Sequence, residues 1–530
     1  MTVLLHELIL RSAETTPDTD ALRFQKQSLS YALLAAGIER AAAGLLELGL
    51  SRQERVAVYL DKRLETVITL FATALAGGVF VPVNPLLKPE QVAHILRDCN
   101  VRILVTSRER LQTLSGILPQ CHDLRTLVLI NAGQDSMDIP GITVTAWDSL
   151  TATSARCAPH RCIDSDMAAI LYTSGSTGKP KGVVLSHRNM VMGAKSVAQY
   201  LENSANDRLL AVLPFSFDYG LSQLTTAFHR GASVVLMNYL VPRDVLTAVA
   251  NERITGLAAV PPLWIQLAQL EWPTDARAHL RYITNSGGAM PGSVVKALRA
   301  KLPATQIFLM YGLTEAFRST FLPPAELDRR PDSIGKAIPN AEVLVVHADG
   351  TPCAAGEAGE LVHRGALVAL GYWNDPDKTA ERFRPAPAQE TGIMLPEIAV
   401  WSGDTVRQDK DGFLYFIGRQ DEMIKTSGYR VSPMEIEEVI YATGLVGEVA
   451  AVGVAHAVLG QAVVVVATPA GHAALNTEAL MAECKRQLPA FMLPALIETK
   501  STLPRNPNGK IDRQQLAAEF AGRFTGSANE

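Results

Sequence analysis

Short apolar runs alternate with helix-spaced segments through the first two-thirds of the chain. RVAVYL (55–60), GGVFVPV (77–83), RILVTS (102–107), LRTLVLI (124–130), MAAILYT (167–173) and RLLAVLP (208–214) are strand-like. ETVITLFATALA (65–76) and PEQVAHILRDC (89–99) between them carry apolar residues at helical spacing. That alternation predicts an α/β fold of layered, mostly parallel sheets with helices. After Pro331 the pattern changes to strands and turns, as in AEVLVVHADG (341–350) and GELVHRG (359–365), which predicts a strand-rich subdomain. Beyond residue 420 a helix (433–443), two strands (449–455 and 462–469) and a second helix (477–488) predict a small α+β unit. LPRNPNGKIDR (503–513) is turn-rich and precedes a last short helix. The expected organisation is therefore a large domain over 1–420 and a small mobile domain over 421–530.

Composition narrows the class. At 530 residues, with 48% hydrophobic and 19% charged positions, the chain is globular and long enough for more than one domain. Its 49 basic against 53 acidic residues leave a formal charge of −4, so no basic excess argues for a nucleic-acid partner. The cysteines form no CxxC and lack His or Cys companions at zinc spacing, which reads as reduced thiols in a cytoplasmic protein. The first twenty residues lack a basic segment and carry Glu7 within their apolar stretch, unlike a secretory signal. Residues 66–87 are uncharged, but Gly77-Gly78, Pro82, Asn84 and Pro85 make them a buried helix running into a strand rather than a membrane span.

The chemistry concentrates in YTSGSTGKPKG (172–182), between a strand and a helix expected from about Ser186. Its glycines, hydroxyls and two lysines supply the backbone N–H groups and charge that hold a polyphosphate. The spacing is not that of a Walker A loop, because Pro180 stands where glycine is required and no Ser or Thr follows Lys179.

In order after this loop come LPFSFDYG (213–220), NSGGAMP (285–291), MYGLTE (310–315), WSGD (401–404), GRQDEMIKTSGYRVSPMEIEE (418–438) and PRNPNGKID (504–512). The set resembles the adenylate-forming superfamily of acyl-CoA synthetases, luciferases and peptide-synthetase adenylation domains. The FSFDYGLSQL, LMYGLTEAFRST and SGDTV stretches are most similar to AMP-forming acyl-CoA ligases of exosortase systems. The resemblance implies a ligase that uses ATP and Mg2+ to convert a carboxylic acid to an acyl-adenylate, then passes the acyl group to the phosphopantetheine thiol of CoA or a carrier protein.

It also implies residue roles. Thr173, Ser174, Gly175, Ser176, Thr177, Gly178, Lys179 and Lys181 would hold the β- and γ-phosphates. Glu315 would bind magnesium and Thr314 the α-phosphate. Tyr311, followed by Gly312, would stack on adenine opposite the Gly287, Gly288 and Ala289 backbone. Asp404 and Arg419 would hold the ribose, and Lys510 would bridge the acid and the α-phosphate. For the second step the small domain would rotate about Asp421, bringing Lys425 and the thiol-channel Gly428 to the site. Asp218, Tyr219, Ser222, Met310, Arg318 and Ser319 would border the acyl pocket.

Asp218 leaves two readings open. It matches the aspartate with which amino-acid-activating domains pair a substrate ammonium, but Arg318 could instead neutralise it or bind a second carboxylate. A stand-alone amino-acid-adenylating enzyme that loads a carrier is thus an alternative to an acyl-CoA ligase. No DSL-type carrier serine occurs in the last hundred residues, so a carrier is expected in trans. Together the retained Lys179, Lys181, Glu315, Asp404, Arg419 and Lys510 argue against a non-catalytic nucleotide-binding relative.

Overall fold

The apolar stretch 66–87 folds as helix Leu64–Ala76 and strand Val79–Pro82, joined through Gly77 in the left-handed region. Every residue of that strand is buried, as are both faces of most of the helix, which is why the segment lacks charge. These elements belong to a computed structural model that describes residues 2–131, 139–153, 158–173, 180–387, 392, 395–419, 422–426, 429–456, 459–471, 474–488, 490–506 and 509–524. Among them no helix is long and apolar enough to cross a membrane. The five described cysteines are free.

An eight-stranded sheet runs in the order Gly371–Tyr372, Lys181–Ser186, Met167–Thr173, Val79–Pro82, Arg55–Tyr59, Val101–Ser107, Thr126–Ile130 and Thr143–Ala146. It is parallel except at its first two strands. A fourteen-stranded sheet has a parallel part built from Asp20–Phe24, Ser233–Leu236, Arg208–Ala211, Gly256–Ala259, Tyr282–Asn285 and Gln306–Tyr311. The strand-rich segment after Pro331 extends this same sheet: Thr320–Leu322 and Ser333–Ala337 turn it antiparallel, and Leu414–Arg419, Ile398–Gln408, Ala358–Gly365 and Ala341–Val346 follow.

A third sheet of five strands lies wholly within 424–499. Helices Pro433–Ala442 and Thr477–Gln487 pack on it around Ile436, Ile440, Val465 and Leu480, and helix Arg513–Glu519 covers its other face through Leu516. Thus the α/β layers and the terminal α+β unit are as the pattern predicts. Parallel strands end side by side at Asn285 and Tyr311, and the loops at such carboxyl ends are where ligands bind in sheets of this kind.

Candidate active site

The phosphate loop is framed by a hairpin in which Thr173 lies opposite Lys181. Ser174, Gly175, Ser176, Thr177, Gly178 and Lys179 themselves lie outside the described residues. The frame is rigid for local reasons. Tyr172 donates to Asp98 Oδ2 at 2.5 Å, and a Cβ on Gly182 would stand 2.7 Å from Ile170 Cγ2. Ser186 caps helix His187–Tyr200 by accepting from Asn189 N at 3.2 Å, while Asn189 Oδ1 accepts from Ser186 N at 2.8 Å. Lys181 Nζ lies 5.3 Å from the centre of the Tyr372 ring. The Tyr372 hydroxyl in turn donates to Glu315 Oε1 at 2.7 Å. Burial lowers the Lys181 pKa, Lys378 and Arg382 lower it further, and Glu315 opposes them. A cation and a carboxylate thus share one aromatic ring beside the loop.

Glu315 sits with Thr314 in the short 3-10 turn Thr314–Ala316, directly after strand Gln306–Tyr311. A carboxylate held at one oxygen by a hydroxyl keeps further lone pairs, which fits a hard divalent cation such as Mg2+.

Tyr311, at the end of the same strand, donates through its hydroxyl to Asp404 Oδ2. Asp404 Oδ1 accepts from Arg419 Nε at 3.0 Å, because strands Ile398–Gln408 and Leu414–Arg419 pair these two residues in register. Burial raises the Asp404 pKa, and Arg419 and the Tyr311 hydroxyl hold it back. His363 stacks beside Tyr311 with ring centres 6.1 Å apart. Opposite the Tyr311 strand, Gly287 has φ +82°, which only glycine adopts without strain, and Gly288 O accepts from Asn285 Nδ2 at 2.9 Å. Gly312 runs close to the Arg318 backbone, 3.2 Å from Cα to the position of a Cβ.

Asp218 opens helix Asp218–Arg230 and is 4% exposed. Its Oδ1 accepts from Thr314 Oγ1 at 3.4 Å, and its Oδ2 lies 3.4 Å from Arg318 Nη1. Both are long for bonds to a charged group, which run about 2.7–2.9 Å. The Arg318 guanidinium lies over the Tyr219 ring at 4.6 Å, and Tyr219 shares a 2.5 Å hydrogen bond with Thr284 Oγ1. Tyr200 donates to Met310 Sδ at 2.9 Å. Ser222, one turn after Asp218, and Ser319 are both buried. The structure therefore brings Asp218 and Arg318 within 3.4 Å of each other.

Lys510 arrives from the far end of the chain. Arg505 bridges to Ile511, Asn506 N donates to Lys510 O at 2.8 Å, and Gly509 takes φ +79°, so Lys510 is held by backbone pairing with the residues before it. This segment is anchored by Arg513, whose Nη2 donates to Glu437 Oε2 at 3.0 Å. Lys510 Cε lies 3.7 Å from where a Cβ of Gly287 would stand. The side chain keeps contact with solvent along the cleft, yet the surrounding protein lowers its pKa. Arg419 adds to that lowering, while Asp218, Glu422 and Asp404 oppose it. One lysine from residue 510 and four motifs from residues 218–419 therefore meet in one cleft.

Asp421 and Gly428 lie outside the described residues. Strand Ile424–Thr426 is described, but the Lys425 side chain is not. Tyr372, His363 and Tyr200 were not expected in the site. Tyr372 stands in GYW (371–373), where neither periodicity nor charge distinguishes it, and only the sheet pairing of Gly371–Tyr372 with Val183–Val184 puts it beside Lys181.

The AMP-binding enzyme family matches residues 9–373, and the AMP-binding enzyme C-terminal domain matches residues 435–510. The chain is 31% identical over 523 residues to an indoleacetate–CoA ligase of Aromatoleum aromaticum, spanning 97% of this chain and 98% of that protein. It is 30% identical over 522 residues to tyrocidine synthase 3 of Brevibacillus parabrevis, spanning 97% of this chain and 8% of that much longer protein. Among solved structures, ATP-bound MatB from Rhodopseudomonas palustris matches with a TM-score of 0.85 and 26% identity, over 98% of this chain and 100% of that one.

Proposed function

Because the chain belongs to the AMP-binding enzyme family, we propose that it is an ATP-dependent, AMP-forming ligase joining a carboxylic acid to a phosphopantetheine thiol. The observation that carries this reading is the convergence of Lys510 with Gly287, Asp218, Asp404 and Arg419 in one cleft. An acid oxygen attacks the α-phosphorus of ATP, the bond to the β-phosphate oxygen breaks, and pyrophosphate leaves. Negative charge grows on the α-phosphate as this happens, and Lys510 is the cation that reaches that point. Thr173, Lys181 and the loop between them hold the outer phosphates. Tyr311 and the Gly287–Ala289 backbone frame the base, and Asp404 with Arg419 holds the sugar. Glu315 would hold Mg2+, which shields the phosphate charge when bound.

In the second step the thiol sulfur attacks the acyl carbon, the bond to the phosphate oxygen breaks and AMP leaves, with the thiol proton passing to solvent. This requires Lys510 to withdraw. We assign the movement to a small domain over 421–530 turning about Asp421 relative to 1–420, with Lys425 and Gly428 brought to the thiol path. Likeness over the full length of a CoA ligase supports CoA as acceptor, while likeness to a peptide synthetase supports a carrier protein in trans. The Asp218–Arg318 pair favours an acid without an α-ammonium group, since that ammonium would be repelled by Arg318.

Substrate-dependent exchange of labelled pyrophosphate into ATP, without thiol, across amino acids, monocarboxylic and dicarboxylic acids, tests the first step. Exchange with acids lacking the amine supports this reading. Exchange with α-amino acids alone would replace it with carrier loading, and absence of exchange with every acid would remove the ligase reading.

A further inference from the structure

Arg318 is 3% exposed, yet among the described residues only Asp218 Oδ2, at 3.4 Å, lies near its donors. Its Nε and Nη2 have no hydrogen-bond partner among them, and neither does the hydroxyl of its neighbour Ser319, itself fully buried. Burying a donor without an acceptor is costly, so three of them at adjacent residues mark a place built for something other than the protein's own groups. They do not belong to an ordinary core. Arg318 follows the Thr314–Ala316 turn that carries Glu315, contacts the aspartate at the head of helix Asp218–Arg230, and covers the Tyr219 ring.

The free edge has a definite chemistry. Nε–H and the nearer Nη2–H of a guanidinium point the same way, and together they match the two oxygens of a carboxylate. Nη1 faces Asp218, and neither donor of the side-on fork is used by another group among the described residues. The backbone is strained to present it, with φ +47° at Phe317 and +151° at Arg318, both in the region that side chains other than glycine avoid. Nη1 of Arg318 turns to Asp218, while Lys510 and the Nε–Nη2 edge of Arg318 can each face one carboxylate of the same ligand. Asp218 contacts Arg318 and its charge also acts on Lys510, so both cations stand around one aspartate.

We infer that the Nε–Nη2 edge of Arg318, with the Ser319 hydroxyl, receives a second carboxylate, so that the acid activated is a compact dicarboxylic acid. This rests on the ligase reading above and names its substrate class. The Tyr219 ring lies under the guanidinium and Met310 is buried near the end of strand Gln306–Tyr311, and their bulk argues against a long straight chain.

The test compares short aliphatic and aromatic dicarboxylic acids with their own monomethyl esters, in pyrophosphate exchange by the full chain. A site built around a charged donor pair rejects a substrate lacking the partner strongly, so kcat/KM should be at least about 100-fold higher for the preferred diacid than for its monoester. Arg318→Leu should erase that preference. Because it also strands Asp218, the double change Asp218→Asn with Arg318→Leu is run beside it, and should show the same loss of preference with folding preserved. Exchange with monocarboxylic acids and monoesters as fast as with diacids would leave the ligase reading standing and overturn this inference. So would a diacid preference that survives in the folded double variant. No exchange with any acid would remove both.

Discussion

Substituting Gly193 tests how the acyl pocket is held in shape. Gly193 lies in helix His187–Tyr200, and a Cβ there would stand 2.4 Å from Phe317 Cδ1 and 2.7 Å from Phe317 Cε1. Carbon atoms in contact sit about 3.5–4.0 Å apart, so Gly193→Ala forces the ring or the helix to retreat by roughly 1 Å. Phe317 is fully buried and its backbone already holds φ +47°, so rotation in place offers no relief. Overpacking of this kind costs about 1–3 kcal/mol, which should appear as a lower urea midpoint. The displacement passes directly to Arg318, whose contact to Asp218 is already 3.4 Å. A misplacement of that size costs about 100-fold in kcat/KM for the acid. The KM for ATP should move much less, since Asp404 and Arg419 stand on strands Ile398–Gln408 and Leu414–Arg419, away from this contact. Gly116→Ala, where a Cβ meets nothing within 4 Å, is the control and should leave stability and kinetics unchanged. Normal stability and normal acid kinetics in Gly193→Ala would refute the argument that Phe317 is wedged against this helix to position Arg318.

Lys510→Ala should slow acyl-adenylate formation by about 100- to 1,000-fold while barely changing thioester formation from supplied acyl-adenylate, measured in separate half-reactions. Equal loss in both would reject the withdrawal of Lys510 between steps. Glu315→Gln keeps the acceptor for the Tyr372 hydroxyl but removes the charge, so it should raise the Mg2+ concentration needed for half-maximal exchange. An unaltered Mg2+ titration would displace Glu315 from that role. His187, fully buried with Nδ1 accepting from Leu5 N at 3.1 Å, has its pKa lowered from 6.5 to about 4, chiefly by burial. The unfolded chain therefore binds the extra proton first, and stability falls as pH drops from 6.5 towards 4. At about 1.4 kcal/mol for each pH unit this one group removes about 3 kcal/mol by pH 4. His187→Asn should flatten the slope of unfolding free energy across that window, and an unchanged slope would contradict the assignment.

The α/β layers were legible because hydrophobic periodicity is local. Strand Met167–Thr173 and helix Leu64–Ala76 each announce themselves within a dozen residues. The motifs were legible for a related reason: a polyphosphate needs many small, polar and basic residues in one short loop, and residues 172–182 supply them consecutively. Contacts between distant segments carry no such local mark. The pairing of Gly371–Tyr372 with strand Lys181–Ser186 brings Tyr372 to Glu315 and Lys181, and nothing in the spelling of GYW foretells it. The strand-rich segment after Pro331 was legible as strands, but its continuation of the large sheet depends on Thr320–Leu322 and Ser333–Ala337 pairing side by side. The placing of Asp218 beside Arg318 was decided by tertiary structure alone. From the sequence it could face a substrate ammonium or Arg318, a hundred positions away. Only the fold, by turning the chain through the strained pair Phe317–Arg318, sets that guanidinium against the aspartate and leaves its Nε and Nη2 without a hydrogen-bond partner among the described residues.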